Sequence, residues 1–346
     1  MFGKIAFCAL LVFSSCSLFF DKENKSEIQI LSEKIANNPE DISLLYNRIN
    51  YNKSEKNFES VLFDLKQVVK LDSLNAKHHY NIAEIYFEIA KSNKHQTSYP
   101  YYARYHLEKS LNIDKNNKDA LALLGELLLA YNKYEEALKS FNASLKIDYN
   151  QEKTHMLMGY AFKQLGQNTN AIDCFMNSIN INPNFFEAHM QLGQIFHLLG
   201  DTIALTYYDN ALNLDFSNAL ALYNKALFYQ SRQDWNNALE GYAALHKSHP
   251  FHSSGHYNLG FIHMELGLYD VAANNFSDAI YSNSEFYEAY YSRGICFETL
   301  GNIAQAESDY IRAIELNSEY LYAIEALEIL REKNNIYNKN DLTRTN

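Results

Sequence analysis

Apolar residues along this chain recur every three or four positions, pause, and recur again, and the pause returns at a fixed interval. The segment SSGHYNLGFIHMELGLYDVAANNFSDAIYSNSEF, Ser253 to Phe286, shows one full period. Its apolar positions keep helical spacing, stop at Leu266-Gly267 and resume, which predicts two antiparallel helices joined by a tight turn. Small residues mark the interval. Gly125, Gly159, Gly193, Ala226, Gly260 and Gly294 are spaced by 34, 34, 33, 34 and 34 residues. Ala137, Ala171, Ala204, Ala238, Ala272 and Ala306 run in parallel, and four residues after each comes Phe141, Phe175, Tyr208, Tyr242, Phe276 or Tyr310.

One unit explains the pattern physically. Gly260 and Ala272 mark a crossing where two backbones approach closely and a larger side chain would clash, and Phe276 fills the space beside them. Neither helix of a pair is long enough to be stable alone. Each pair leaves an apolar face open until the next pair covers it, so stacking is obligatory.

The small residue near the eighth place, the alanine near the twentieth, the aromatic near the twenty-fourth and a proline near the thirty-second (Pro39, Pro183, Pro250) resemble the tetratricopeptide repeat. The resemblance implies an all-α fold, an α-α superhelix or TPR solenoid. Eight units are read: Ile42 to Asn75, Ala76 to Asn117, Lys118 to Gln151, Glu152 to Phe185, Phe186 to Asn218, Ala219 to His252, Ser253 to Phe286 and Tyr287 to Tyr320. A half repeat at 26–41 and a capping helix at 321–333 are expected to close the ends, with 334–346 as a disordered tail. The first two units depart from the pattern. Ile49 and Val61 stand where small residues are expected, and the second unit carries an eight-residue insertion around KSNKHQTSYPYY, Lys91 to Tyr102.

The start of the chain reads differently. Lys4, the apolar run Ile5 to Phe13 and the small residues Ser14 and Ser15 have the layout of a signal peptide over 1–15. The serines interrupt the run well short of the ~20 apolar residues a membrane span needs. FSSC, Phe13 to Cys16, resembles the bacterial lipobox, with Phe13 where leucine is usual, and implies acylation of Cys16 followed by a tether over 16–25. Ordinary signal cleavage, and an uncleaved helix or internal core segment, are the alternatives.

Composition narrows the function. With 346 residues, 47% hydrophobic content, 12 glycines and 4 prolines, the chain is neither disordered nor collagenous, and it is long for a single core. A formal net charge of −11 argues against a nucleic-acid partner and against electrostatic docking on anionic lipid, so membrane attachment would come from Cys16. If Cys8 leaves with the signal and Cys16 is acylated, Cys174 and Cys296 remain; they fall in units four places apart, too far to bridge, and are expected as buried free thiols.

HKSHPFHSSGH, His246 to His256, invites a metal reading, yet its histidines straddle a helix end and a turn. His79, His155, His189 and His256 share one packing place in their units and read as core residues; no metal or cofactor is expected. There is no H-E-x-x-H, G-x-S-x-G or phosphate loop, and no length for a catalytic domain after the capping helix, so no enzyme activity is expected.

The family lines its concave surface with first helices, whose fifth and ninth places point inward. Here the resemblance makes these Tyr223 and Leu227, Tyr257 and Phe261, and Tyr291 and Ile295, with Asn224 and Asn258 similar to asparagines that hold a bound peptide backbone. The basic residues of the family's carboxylate clamp are missing from this stretch. The N-terminal half mixes Lys77, Glu84, Lys153 and Met156 and offers no single reading. The expectation is a scaffold of the bacterial cell envelope that binds a protein or peptide partner in its groove. A glycan-binding module, since tyrosines stack on sugar rings, and a structural subunit that uses its convex face are the alternatives.

Overall fold

The computed structural model describes residues 26–92 and 98–344, so the expected signal peptide, the expected acylation site Cys16 and the expected tether lie outside the described residues. Among the described residues the regular structure is helical throughout. After α1 (Glu27–Asn37) come eight pairs: α2 (Ile42–Ser54) with α3 (Phe58–Leu71), α4 (Ala76–Ser92) with α5 (Ser98–Ile113), α6 (Lys118–Ala130) with α7 (Tyr134–Ile147), and α8 (Glu152–Gln164) with α9 (Asn168–Ile181). Then follow α10 (Phe186–Leu198) with α11 (Ile203–Leu214), α12 (Ala219–Ser231) with α13 (Trp235–Ser248), α14 (Ser253–Glu265) with α15 (Tyr269–Ser282), and α16 (Tyr287–Thr299) with α17 (Ile303–Leu316). The chain forms two compact units whose boundary, Leu123/Leu124, falls within α6. No helix among the described residues is long and apolar enough to cross a membrane.

Two kinds of turn set the repeat. Inside a pair, the first helix ends on a residue with left-handed backbone: Gly166, Gly200, Gly267 and Gly301, with φ of 72°, 70°, 76° and 80°, or Lys56, Asn132 and Gln233, with φ of 55°, 58° and 57°. Glycine takes this conformation without the Cβ clash that costs other residues about 1–2 kcal/mol. The next N–H then reaches back to an orphan carbonyl, as when Leu268 N donates to His263 O at 2.8 Å. Between pairs, Asp114, Asp148, Asn182, Asn283 and Asn317 accept at Oδ1 from the N–H two residues on, an Asx turn that sends the chain into the next first helix.

Packing follows the small-residue ladder. The alanines from Ala137 to Ala306 and the aromatics from Phe141 to Tyr310 are buried. A Cβ added at Gly260 would sit 2.7 Å from Phe276 Cε1, and Gly125, Gly159, Gly193 and Gly294 face their own aromatic ring equally closely. Ala226 takes the glycine's place in its repeat, and there Gly241 makes the room instead: a Cβ on it would lie 2.8 Å from Ala226 Cβ. In the N-terminal unit, Ile49 and Val61 are buried beside Leu65, and Ala83 and Ala103 beside Leu107. A leucine there replaces the aromatic and leaves volume for the larger crossing residues.

A buried ion pair recurs once in each unit. Arg48 donates from Nε and Nη2 to Asp64 at 2.8 and 2.7 Å and from Nη1 to Ser32. Arg293 makes the same set of contacts to Asp309 and Ser277. The sequence pattern drew no attention to either pair.

The last helix, α18 (Leu321–Arg344), continues beyond residue 333, where the sequence reading ends the capping helix and begins a tail. No glycine or proline interrupts 334–344, so nothing in the backbone stops it.

Candidate partner-binding face

In the C-terminal unit the first helices form the inner layer: α10 touches α12 and α14 touches α16 directly across the hairpins. Tyr223, Asn224 and Leu227 lie on α12, Tyr257, Asn258 and Phe261 on α14, and Tyr291 and Ile295 on α16. All are half-buried except Asn258, which is buried.

The tyrosines are braced by their neighbours. Tyr223 packs against Tyr242 and His252, with ring centroids 6.0 and 5.3 Å apart. Tyr257 packs against Phe276 and Phe286 at 5.4 and 5.0 Å, and its hydroxyl lies 3.4 Å from that of Ser292. Phe261 rests on the core around Ile262 and Ala238, and Ile295 on that around Tyr310 and Leu330.

The two asparagines part company. Asn258 Nδ2 donates to Tyr242 Oη at 2.9 Å and to Tyr223 Oη at 3.2 Å, while Tyr242 Oη donates to Gln230 Oε1 at 2.6 Å. Both Nδ2 hydrogens of Asn258 are thereby engaged at a helix crossing. Asn224, at the equivalent place one repeat earlier, is half-buried and meets no hydrogen-bond partner among the described residues. The corresponding phenol there, Tyr208, lies 3.3 Å from His197 Nδ1.

Tyr291 belongs to a cluster that the sequence reading missed. Its ring meets Tyr310 at 5.9 Å, Tyr320 edge-on at 5.4 Å and Tyr322 at 6.3 Å, and Tyr287 meets Tyr320 at 4.9 Å. Tyr322 is 65% exposed at the edge of this cluster. Burial, with Tyr322, Tyr257 and the carboxylates of Glu325 and Glu298 beside it, holds the Tyr291 phenol above its ordinary range. Burial and neighbours including Glu288 do the same to Tyr320. The face is therefore aromatic and acidic, and the phenols of Tyr291 and Tyr320 are neutral donors at physiological pH. The tyrosine density of FYEAYY, 286–291, and EYLY, 319–322, was the available signal.

The histidines are held by the turns. His155 Nε2 donates to Tyr149 O at 3.0 Å, and His189 and His256 donate to Pro183 O and Pro250 O at 2.8 Å, in each case six residues back. His249 Nε2 donates to Ser217 O at 2.6 Å, and His252 Nδ1 accepts from Gly255 N. Among the described residues no group of three or more His, Cys, Asp or Glu could hold a metal ion. Cys174 and Cys296 are free and buried, and burial pushes their thiols up to about 12 and about 11.

Family models described as tetratricopeptide repeat match residues 103–159, 220–252 and 287–320, and one described as TPR repeat matches 159–200. No curated protein matches the chain in sequence. Among solved structures, it is similar to the C-terminal part of a TPR repeat-containing protein from Cytophaga hutchinsonii, at 13% identity and a TM-score of 0.61 over 72% of this chain and 99% of that one. It is also similar to PilF of Pseudomonas aeruginosa, at 18% identity and a TM-score of 0.52 over 60% of this chain and 92% of that one. A tetratricopeptide repeat protein from Parabacteroides merdae aligns at 16% identity and a TM-score of 0.50 over 73% and 99%. At these identities the likeness shows the fold.

Proposed function

We propose that this tetratricopeptide-repeat chain is a non-catalytic scaffold of the bacterial envelope, anchored through an acylated Cys16, that captures a protein partner on the first-helix face of its C-terminal unit. Repeats of this kind support a protein-interaction role. The observation that carries the choice of face is the run of half-buried aromatics from Tyr223 to Tyr320, with the exposed Tyr322 at its edge, flanked by Glu288 and Glu325. Rigid aromatic anchors in a partly dehydrated setting are where binding energy concentrates, and the carboxylates favour a basic, apolar segment. Asn224 is the amide left to meet that segment's backbone.

Site-specific photocrosslinking tests the face. A crosslinker at Asn224, Leu227 or Tyr322 should trap one defined protein, and one at Asn274 or Gln305 on the second helices should not. Crosslinks confined to the second-helix positions would move the function to the opposite face. Replacing Cys16 with Ser should abolish acyl labelling and release the protein from the detergent phase; unchanged partitioning would remove the anchor.

A further inference from the structure

The irregular second repeat builds something the regular ones lack. The other first helices of the eight pairs have 13 residues, and α4 has 17; α5 has 16 where most second helices have 14. The added length places Tyr99, Tyr101 and Tyr102 in the first turn of α5, with Tyr105 and His106 one turn on. Together with Leu62 and Lys66 of α3 and Tyr86 of α4 they line a cavity of about 660 Å³, within the roughly 300–1,000 Å³ of small-ligand sites.

The lining is specific in its chemistry. Tyr86 is the floor: its ring is near-parallel to those of Tyr99 and His106, at 6.1 and 6.0 Å, and lies 5.2 Å from Tyr102. Tyr101, Tyr102 and Tyr105 are 67%, 44% and 45% exposed, so although their edges meet one another and His106 each keeps ring surface open to solvent. Lys66 stands 5.9 Å from the Tyr86 ring and pairs with no carboxylate among the described residues. Lys109 lies over Tyr105 at 5.5 Å. Burial and the neighbouring His79, Lys66 and Lys109 hold His106 down at about 4, so its ring is neutral at physiological pH; its Nδ1 lies 3.1 Å from His79 Nδ1, which leaves Nε2 to meet a ligand. A locally basic, phenol-rich pocket on a chain of net charge −11 selects a small anion.

We propose that this pocket binds a saccharide bearing a carboxylate. Pyranose C–H faces stack on the open tyrosine rings, sugar hydroxyls meet the phenols and His106, and the carboxylate meets Lys66. A peptide side chain would find Leu62 as the one aliphatic residue among the described lining residues. The site lies wholly within the N-terminal unit and does not depend on the protein-partner reading.

The test is an array of immobilised oligo-galacturonate, oligo-glucuronate and sialyllactose, with lactose and polyglutamate as controls, probed with the full-length protein in detergent. The carboxylated sugars should be retained, and lactose should not. Lys66→Gln and Tyr102→Ala, both at exposed positions, should each weaken retention on the order of tenfold, whereas Tyr281→Ala, at an exposed ring of the C-terminal unit, leaves it unchanged. The proposal is overturned if none of the carboxylated sugars is retained above lactose, if both pocket variants bind as the wild type does, or if polyglutamate is held as tightly as the sugars.

Discussion

Gly260 tests the account of the helix crossing in a way that separates packing from backbone effects. An alanine Cβ there would lie 2.7, 2.8 and 3.0 Å from Cε1, Cδ1 and Cζ of Phe276, closer than carbon atoms pack. Phe276 is fully buried and cannot swing away, so the overpacking costs about 1–3 kcal/mol. Against this, Gly→Ala in a helix interior gains about 1 kcal/mol of propensity. The two terms separate in a double-mutant cycle. The chain already contains the relieved version, since Ala83 stands with Leu107 at the equivalent places of the second repeat. Phe276→Leu alone should destabilise. In that background Gly260→Ala should stabilise, because the clash is gone and the propensity gain remains, whereas in the wild type the same change should be neutral to destabilising. Urea unfolding followed by circular dichroism should give a coupling energy of about 1–3 kcal/mol. A coupling below about 0.5 kcal/mol would mean that ring and glycine do not meet, and the reasoning about the crossing would fail.

Arg293→Ala should cost about 3–5 kcal/mol by leaving Asp309 buried without its guanidinium, and Arg293→Ala combined with Asp309→Leu should recover most of that in the same unfolding assay. Cys174 and Cys296, with thiols held at about 12 and about 11, should resist iodoacetamide at pH 8 and react once urea unfolds the repeats; rapid native alkylation, read by mass spectrometry, would contradict their burial. His106 is held at about 4, and His79, His155 and His197 are lowered by burial in the same direction, so the folded state prefers the neutral rings. The stability they contribute is complete above pH ~6.5 and is lost as pH falls toward 4; melting temperature should drop across that window, and His106→Phe should flatten the drop.

The helical hairpins, their step and the small-residue crossings were legible because they are local. A 3.6-residue apolar period, a glycine or asparagine able to take positive φ, and an alanine facing an aromatic all lie within one unit of about 34 residues and reappear in the next. That was enough to settle the all-α repeat class and to identify Cys174, Cys296, His79, His155, His189 and His256 as interior side chains. Occupancy was not local. Asn224 and Asn258 hold the same place in their repeats, yet Asn258 Nδ2 donates to Tyr242 and Tyr223, and Tyr242 donates on to Gln230, while the equivalent phenol, Tyr208, sits beside His197. The Arg48–Asp64 and Arg293–Asp309 pairs join residues 16 apart on two helices, a spacing with no meaning until the hairpin closes. The insertion read only as an irregularity in the pattern, and the fold turned its tyrosines toward Lys66 and Tyr86 on two other helices. Periodicity determines which face of a helix is buried; what each side chain on that face touches depends on neighbours one or two helices away, and that is decided by packing.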